Sequence, residues 1–389
     1  MKKCQFAILF VLISSINLFG SDFSAIDEIV SNGILNGAFP GAQVIIGNEK
    51  DVLYEKSYGN FTYDEFSDVV TNSSMFDLAS LTKVIATTPA IMKLYEERKI
   101  NLSDKVSYYL PEFANSGKED ITVLNLLIHN SGLIAFVPFY KTCRSKQDVL
   151  DAIFNIGLDY PTATKTVYSD LNSILLGLIV EKISGMPLDE YCKLNVFLPL
   201  GMRSTTFVPD ETLKPRILPT EFDSYWRNRQ LQGEVHDETT AMLEGVSGNA
   251  GLFSNASDIY LLIKAMLNKG HYYNPYTRGL QDEQIFDDFT IELFTKRYDD
   301  VSYENSRALG WDTKPIQKTK TRIPCGELIS ENCFGHTGFT GTSVWCDKDR
   351  KLVIIFLTNR VYPSRDNSGI RDVRPELHNA AIRIVSEQN

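Results

Sequence analysis

Ser80-Leu81-Thr82-Lys83 is the only S-x-x-K in the chain. Residues three apart on the first turn of a helix share a face, so the lysine amine can reach the serine hydroxyl. A helix N-terminus also favours negative charge developing beside it. A half-buried lysine there loses part of its preference for the charged form and can serve a serine nucleophile as base or proton relay. Taken alone, the pattern reads better as a helix cap, because serine is a favoured N-cap and lysine is common on helices. The catalytic reading needs two partners: a second proton-handling side chain and a strand offering a backbone N–H.

Downstream segments supply both. Tyr168-Ser169-Asp170 opens the apolar run DLNSILLGLIVEKIS. The pattern Tyr-x-Asn/Asp recurs at Tyr58, Tyr272, Tyr298 and Tyr303, but only the copy at 168 follows Ser80 and opens a strongly apolar helix. His336-Thr337-Gly338 directly precedes a strand pattern, and a glycine-containing strand start is a good edge for pairing with an extended substrate. Each feature alone has a plainer reading, a buried tyrosine with a capping aspartate and a turn glycine beside a chance histidine. Their order along the chain favours the catalytic one. Other polar residues carry less: His129 reads as a cap or bridge inside a helical region, and Asn249 as a cleft-lining side chain. His236-Asp237-Glu238 reads as a loop near the cleft, since adjacent residues rarely face one ion. No metal site follows from these residues, nor do the cysteine spacings resemble a zinc site.

The elements that must position these residues are legible as periodicities. Residues 41–59 read as strand, turn about Gly47-Asn48, and strand. Residues 80–98 have helical spacing with a kink at Pro89. Helices are expected over 170–184, ending at Gly185, and over 122–129, 145–156, 186–196, 256–268 and 375–387. Residues 341–346 and 351–358 read as a hairpin. Strands at both ends with helices between them predict one sheet built from both termini and an inserted helical lobe, an α+β arrangement. Its boundaries fall at about 21–75 with 300–389 for the sheet lobe and 76–299 for the helical lobe. Residues 270–335 show little regularity.

The 389 residues are 43% hydrophobic and 23% charged, with a net charge of -10, ordinary for one globular domain. The acidic balance and the lack of a basic stretch argue against nucleic acid or an anionic membrane as partner. Lys2 and Lys3, the apolar run Phe6 to Phe19, and Gly20-Ser21 form a signal-peptide pattern over 1–20, so export to the periplasm or beyond is expected, with no membrane segment after cleavage. Five cysteines then remain, Cys143, Cys192, Cys325, Cys333 and Cys346, of which Cys325 and Cys333 lie close enough in sequence to bridge a loop.

The chain resembles the serine β-lactamase and penicillin-binding-protein superfamily, in its class C-like branch. The stretches that carry the resemblance include FPGAQVIIG, FDLASLTKVIATTPAIMKLYEERKINLSDKVSYYLPEF, ITVLNLLIHNSGL, YSDLNSILLGLIVEKISG, GEVHDETTAMLEGVSGNAGLFSNASDI and FGHTGFTGTSVW, in the family's order. The resemblance implies an antiparallel sheet flanked by helices and an acyl-enzyme on Ser80. It implies Lys83 as base or relay, and Tyr168 as second base that later activates water. Asp170 stands for the more usual asparagine, and His336 for the lysine of many relatives. Thr337 would help hold a substrate carboxylate, and the amides of Ser80 and Phe339, beyond Gly338, would form the oxyanion hole. No cofactor is implied.

Three electrostatic expectations follow from the departures. Asp170 should keep Lys83 protonated, the ammonium should lower the pKa of Tyr168, and His336 should titrate near pH 6.5, as unperturbed histidine does. The activity implied is that of a D-alanyl-D-alanine carboxypeptidase, penicillin-binding protein or β-lactamase acting on a peptidoglycan stem peptide or a β-lactam. Rival readings are a carboxylesterase on the same fold and a catalytically silent peptide-binding protein.

Overall fold

The computed structural model describes residues 22–274, 276, 282–316 and 323–387; the leader expected over 1–20 lies outside them. Strands β1 (Gly41–Asn48) and β2 (Val52–Gly59) pair antiparallel as expected. Their turn falls later than Gly47-Asn48, because the Asn48 Oδ1 accepts from the amides of Lys50 (2.7 Å) and Asp51 (2.8 Å) and so closes the turn after itself. Strands β3 (Cys333–Thr337), β4 (Ser343–Asp347) and β5 (Leu352–Thr358) come from the other end of the chain. Together they form one antiparallel sheet in the order β3-β4-β5-β1-β2.

Alternation of the strand side chains decides what covers each face. Val44, Ile46, Trp345, Ile354 and Phe356 are buried in one apolar cluster with Ile26 and Val30 of helix α1 (Ser24–Leu35) and Leu377, Ala381 and Ile382 of the C-terminal helix Ile370–Ser386. Ile45, Val344, Val353, Ile355 and Leu357 belong to a second, larger cluster shared with the helical part of the chain. Helix α1 was not foreseen. The C-terminal helix begins five residues before the expected start at 375. Pro375 is not its first residue but sits inside it, where it lacks an amide to donate and crowds the carbonyl four residues back.

The expected helix 80–98 is three elements in series: a 3₁₀ turn Ala79–Leu81, a π-helical stretch Lys83–Thr87, and helix α2 (Thr88–Glu96) with Pro89 in its first turn. Pro89 lacks an amide and crowds the carbonyl four residues back, and the wider π turn just before it accommodates both. Helix α3 (Asp170–Ser184) ends at Gly185 in the left-handed conformation, as its sequence requires. The helices Val123–Leu127 and Lys146–Asn155 start at the capping boxes of Thr122 and Ser145. Helix α4 (Ala256–Leu267) starts at Asn255, whose side chain accepts from the Asp258 amide. The segment at 186–196 is a short helix Leu188–Cys192 followed by a π-helical turn Lys193–Phe197.

Residues 270–335 hold more order than their sequence suggests: a small hairpin, His271–Tyr273 with Asp282–Gln284, and a helix Asp288–Thr295. The bridge proposed between Cys325 and Cys333 is absent. All five cysteines are free and buried, each packed as a small hydrophobe, and burial pushes the Cys333 thiol up to about 12. Among the described residues no single helix is long and apolar enough to cross a membrane.

Candidate active site

A short strand, Phe76–Asp77, pairs with Leu252–Ser254 of the GLFS segment and delivers the chain into the 3₁₀ turn that carries Ser80. Ala79 is forced to φ 47°, a conformation that costs a non-glycine residue about 1 kcal/mol or more and needs outside support. The support is Asp77, fully buried, whose Oδ1 accepts from the Ala79 amide at 2.8 Å. Lys83 follows at the start of the π-helical stretch, three residues after Ser80 and close enough to reach its hydroxyl. Its Nζ donates to Ser80 Oγ at 3.1 Å, to Asp170 Oδ1 at 2.7 Å and to the Asn249 carbonyl at 2.9 Å. Tyr168 donates its hydroxyl to the same Ser80 Oγ at 2.9 Å. Tyr168, Asp170 and Asn249, all distant from Ser80 in sequence, thus converge on its oxygen and on the neighbouring Lys83 ammonium.

The partners are set by packing. Asp170 is the first residue of α3, and its amide bonds the Ala135 carbonyl at 3.2 Å. Asn249 approaches through its carbonyl, while its side chain is held by Asp237 and Thr240. The preceding Gly248 lies so close to α3 that a Cβ there would sit 1.9 Å from the Ser173 carbonyl oxygen, which is why this loop can reach Lys83 at all. His129 is a bridge, as its sequence suggested. Its Nδ1 accepts from the Ser169 amide at 3.2 Å and contacts Asn172 Nδ2 at 3.0 Å, and its ring lies 4.9 Å from that of Tyr168.

Strand β3 supplies the other wall. Gly338, just past its end, bonds the Thr342 carbonyl through its amide at 2.7 Å. Thr340 and Thr342 donate their hydroxyls to the carbonyls of Asp77 (2.7 Å) and Leu78 (3.0 Å), pinning this turn against the Ser80 turn. The amides of Leu78, Ala79, Leu81 and Gly338 all have partners, on Leu252, Asp77, Leu78 and Thr342. Ser80 and Phe339 adjoin these residues in the chain, on the two turns that the threonine bonds hold together. Phe339 is half exposed, and Thr337 ends the strand beside it. As an edge for β-pairing, β3 is only partly open: Asp312 already exchanges both backbone bonds with Gly335, at 2.9 and 3.0 Å.

Charge at the site departs from two of the three expectations. Burial opposes the Lys83 ammonium, but Asp170 and Tyr168 outweigh it and raise its pKa, as expected. Tyr168 is raised rather than lowered: enclosure of its ring outweighs the attraction of Lys83, so it is a phenol at rest. His336 is pushed down to about 4, first by burial and then by Arg307 and Lys83, against the opposing pull of Asp312. It is 3% exposed and neutral near pH 7, its Nδ1 sitting 2.8 Å from the Thr337 carbonyl. A second cation beside Tyr168 is Arg307, which no sequence signal marked. Its guanidinium lies 5.0 Å from the centre of the Tyr168 ring and pairs with Asp312 at 2.7 Å.

The residues 236–238 do not gather on one point. His236 Nε2 contacts Glu221 at 2.9 Å, Asp237 caps the helix Glu238–Met242, and Glu238 pairs with Arg365 at 2.9 Å. Among the described residues no group of three or more His, Cys, Asp or Glu is placed to hold a metal ion.

The family model described as Beta-lactamase matches residues 26–377. The chain belongs to the beta-lactamase family. Within the family, it is 35% identical over 368 residues to an N-acetylmuramyl-L-alanine amidase of Bacillus subtilis, covering 86% of this chain and 80% of that protein. It is 32% identical over 370 residues to a Salmonella agona protein named as a D-alanyl-D-alanine carboxypeptidase, covering 86% and 82%. Among solved structures it shares its fold with EstCE1, a hydrolase with promiscuous acyltransferase activity, at TM-score 0.69 and 19% identity, covering 90% of this chain and 98% of EstCE1. It also shares its fold with an octameric penicillin-binding protein homologue from Pyrococcus abyssi, at TM-score 0.67 and 21% identity, covering 87% and 73%.

Proposed function

We propose that this beta-lactamase-family protein is an exported serine hydrolase that forms an acyl-enzyme on Ser80 and acts on D-alanyl-D-alanine-type peptides, with β-lactams as acylating analogues or substrates. The observation that carries the reading is the triangle at Ser80 Oγ, which accepts from Tyr168 at 2.9 Å and from Lys83 at 3.1 Å. The names of the amidase and carboxypeptidase relatives support a cell-wall substrate.

The charge state suggests how the proton moves. Ser80 Oγ attacks the carbonyl carbon and its proton passes to the Tyr168 oxygen, while Tyr168 gives its own proton to the departing amine and the C–N bond breaks. Lys83 remains an ammonium and, with the amides of Ser80 and Phe339, stabilises the oxyanion; one such donor is worth about 3 kcal/mol of barrier. Water then attacks the ester, its proton goes to Tyr168, and Tyr168 returns one to Ser80 Oγ. Tyr168 acts as a relay and needs no phenolate. With His336 neutral above about pH 4 and both Lys83 and Tyr168 raised, no group of this relay titrates near neutrality. A profile of kcat/KM for a neutral nitrophenyl ester should therefore be flat between roughly pH 6 and 9. A tenfold rise per pH unit would show Tyr168 acting as a phenolate base instead.

A substrate with a free C-terminal carboxylate should dock by Thr337 toward Arg307, not toward His336. Arg307→Gln is then expected to raise KM for a carboxylate-terminated peptide by about 10- to 100-fold, the value of a charge-assisted hydrogen bond. The loss should be much smaller for a neutral ester with the same acyl part, and steady-state kinetics on the pair would check it.

The test of the reading is intact-protein mass spectrometry with a penicillin, on wild type and Ser80→Ala. A stable adduct absent from Ser80→Ala supports the penicillin-binding form, and steady drug hydrolysis without an adduct supports the β-lactamase form. Neither of these, with fast cleavage of a nitrophenyl ester, favours a carboxylesterase. The neutrality of His336 lends that second reading its weight, since a family lysine's fixed charge is missing at that position.

A further inference from the structure

The VHDE segment, residues 235–238, is left without a role by the relay around Ser80. We infer that His236 is a positioning residue that ties together the two walls of the oxyanion site, the Ser80 turn and the Phe339 turn. The inference rests on the acyl-enzyme reading for its catalytic consequence, though not for its geometry.

The first tie is through the backbone. The His236 amide donates to Asp77 Oδ2 at 2.7 Å, while Asp77 Oδ1 takes the Ala79 amide at 2.8 Å. One buried carboxylate is thus filled by two amides, and the strained Ala79 that aims Ser80 is held only as well as Asp77 is held. Burial raises the pKa of Asp77 and these two amides oppose the rise, so the carboxylate depends on them. The second tie is through the side chain. The His236 ring stacks on the ring of Phe339 with centroids 5.6 Å apart and planes 26° apart. Phe339 is 48% exposed, and the His236 ring covers one side of it.

His236 is itself clamped. Its Nε2 meets Glu221 at 2.9 Å, and Glu221 takes Arg365 Nη2 at 2.6 Å; Arg365 continues to Glu238 at 2.9 Å. Glu221 is 4% exposed and is held low, at about 2, by His236 and Arg365 against the cost of burial. Arg360 completes the frame from the other side, donating to the Phe339 carbonyl at 2.8 Å with its guanidinium 4.5 Å from the ring centre. The frame leaves His236 one orientation, in which a single residue contacts both walls. Oxyanion donors contribute through such fixed placement, because donors already aimed need no reorganisation during the reaction.

The test compares wild type, His236→Ala and His236→Phe by hydrogen exchange resolved to the segments 76–81 and 337–340, and then by single-turnover acylation with a nitrophenyl ester. His236→Ala should speed exchange in both segments at least tenfold, with the helices α2 and α3 unchanged. It should also slow acylation at least tenfold with KM within about twofold. His236→Phe keeps the stacking and loses the Glu221 contact, so it should recover protection at 337–340 more than at 76–81. Faster exchange in only one segment, or unchanged acylation in a protein whose exchange has changed in both, would overturn the inference. If His236→Ala fails to fold, Arg365→Ala on the exposed end of the clamp is read the same way, with a smaller effect expected in both segments. A wild type that never acylates while both segments respond to His236→Ala would sink the acyl-enzyme reading and leave the tie standing.

Discussion

Replacing Lys83 by methionine is expected to lower the acylation rate about a thousandfold, within the range seen when a positioned proton-handling group is lost. Three bonds vanish together, to Ser80 Oγ, Asp170 and the Asn249 carbonyl, and with them the ammonium that touches Ser80. Methionine fills much of the volume, so the rate loss reports charge and donors more than a cavity. The Asp170 carboxylate, with its side chain 22% exposed, then lacks a partner, and a stability loss of about 1–3 kcal/mol should accompany the substitution. Adding Asp170→Asn removes the stranded charge. The double variant should regain most of the stability and none of the rate. Single-turnover ester kinetics beside thermal unfolding separates the two effects, and a double variant that recovered the rate would rule out the ammonium as part of the machinery. The sign with pH is also fixed. Because the folded-state pKa of Lys83 is raised, its contribution to stability is complete below the ordinary lysine value of about 10.4 and is lost only as pH rises through the higher folded value.

The second large effect is expected at Gly338. A Cβ there would lie 2.1 Å from Thr342 Oγ1 and 2.4 Å from the Leu78 carbonyl oxygen, both inside any tolerable contact. The first is a side-chain atom that can shift. The second is backbone two residues before Ser80 and cannot move without moving the Ser80 turn. Gly338→Ala should therefore push the Phe339 turn away from Ser80, lowering acylation about a hundredfold through a displaced oxyanion donor. It should also cost about 1–3 kcal/mol through overpacking. Adding Thr342→Ala relieves only one of the two contacts, so rescue should be partial. Full rescue would mean that the Leu78 carbonyl does not set the distance between the walls.

Much of this site could be read from the order of residues along the chain. The S-x-x-K spacing placed Ser80 and Lys83 on one face because the helical repeat fixes what lies three residues away. The hairpins expected at 41–59 and at 341–346 with 351–358 followed from strand-forming runs around turn residues, and Gly185 marked a helix end by local chemistry. Family motifs then brought Tyr168, Asp170 and the strand at His336 to the same place. Local rules sufficed there because each decision involved residues within a turn or two of one another.

What only the folded chain decided are the quantities that depend on enclosure and on long-range neighbours. Tyr168 is raised because burial outweighs the Lys83 charge beside it, and His336 is pushed down by burial together with Arg307 and Lys83 against Asp312; burial is not a property of a tripeptide. Arg307 reaches the Tyr168 ring from a region with no periodicity, because its partner Asp312 is bridged to Gly335 of β3. Cys325 and Cys333, close in sequence, remained separate thiols in the apolar layer under the C-terminal helix. His236 offers the clearest contrast: in sequence it is one of three adjacent polar residues, and in space its amide and its ring serve two different walls of one site.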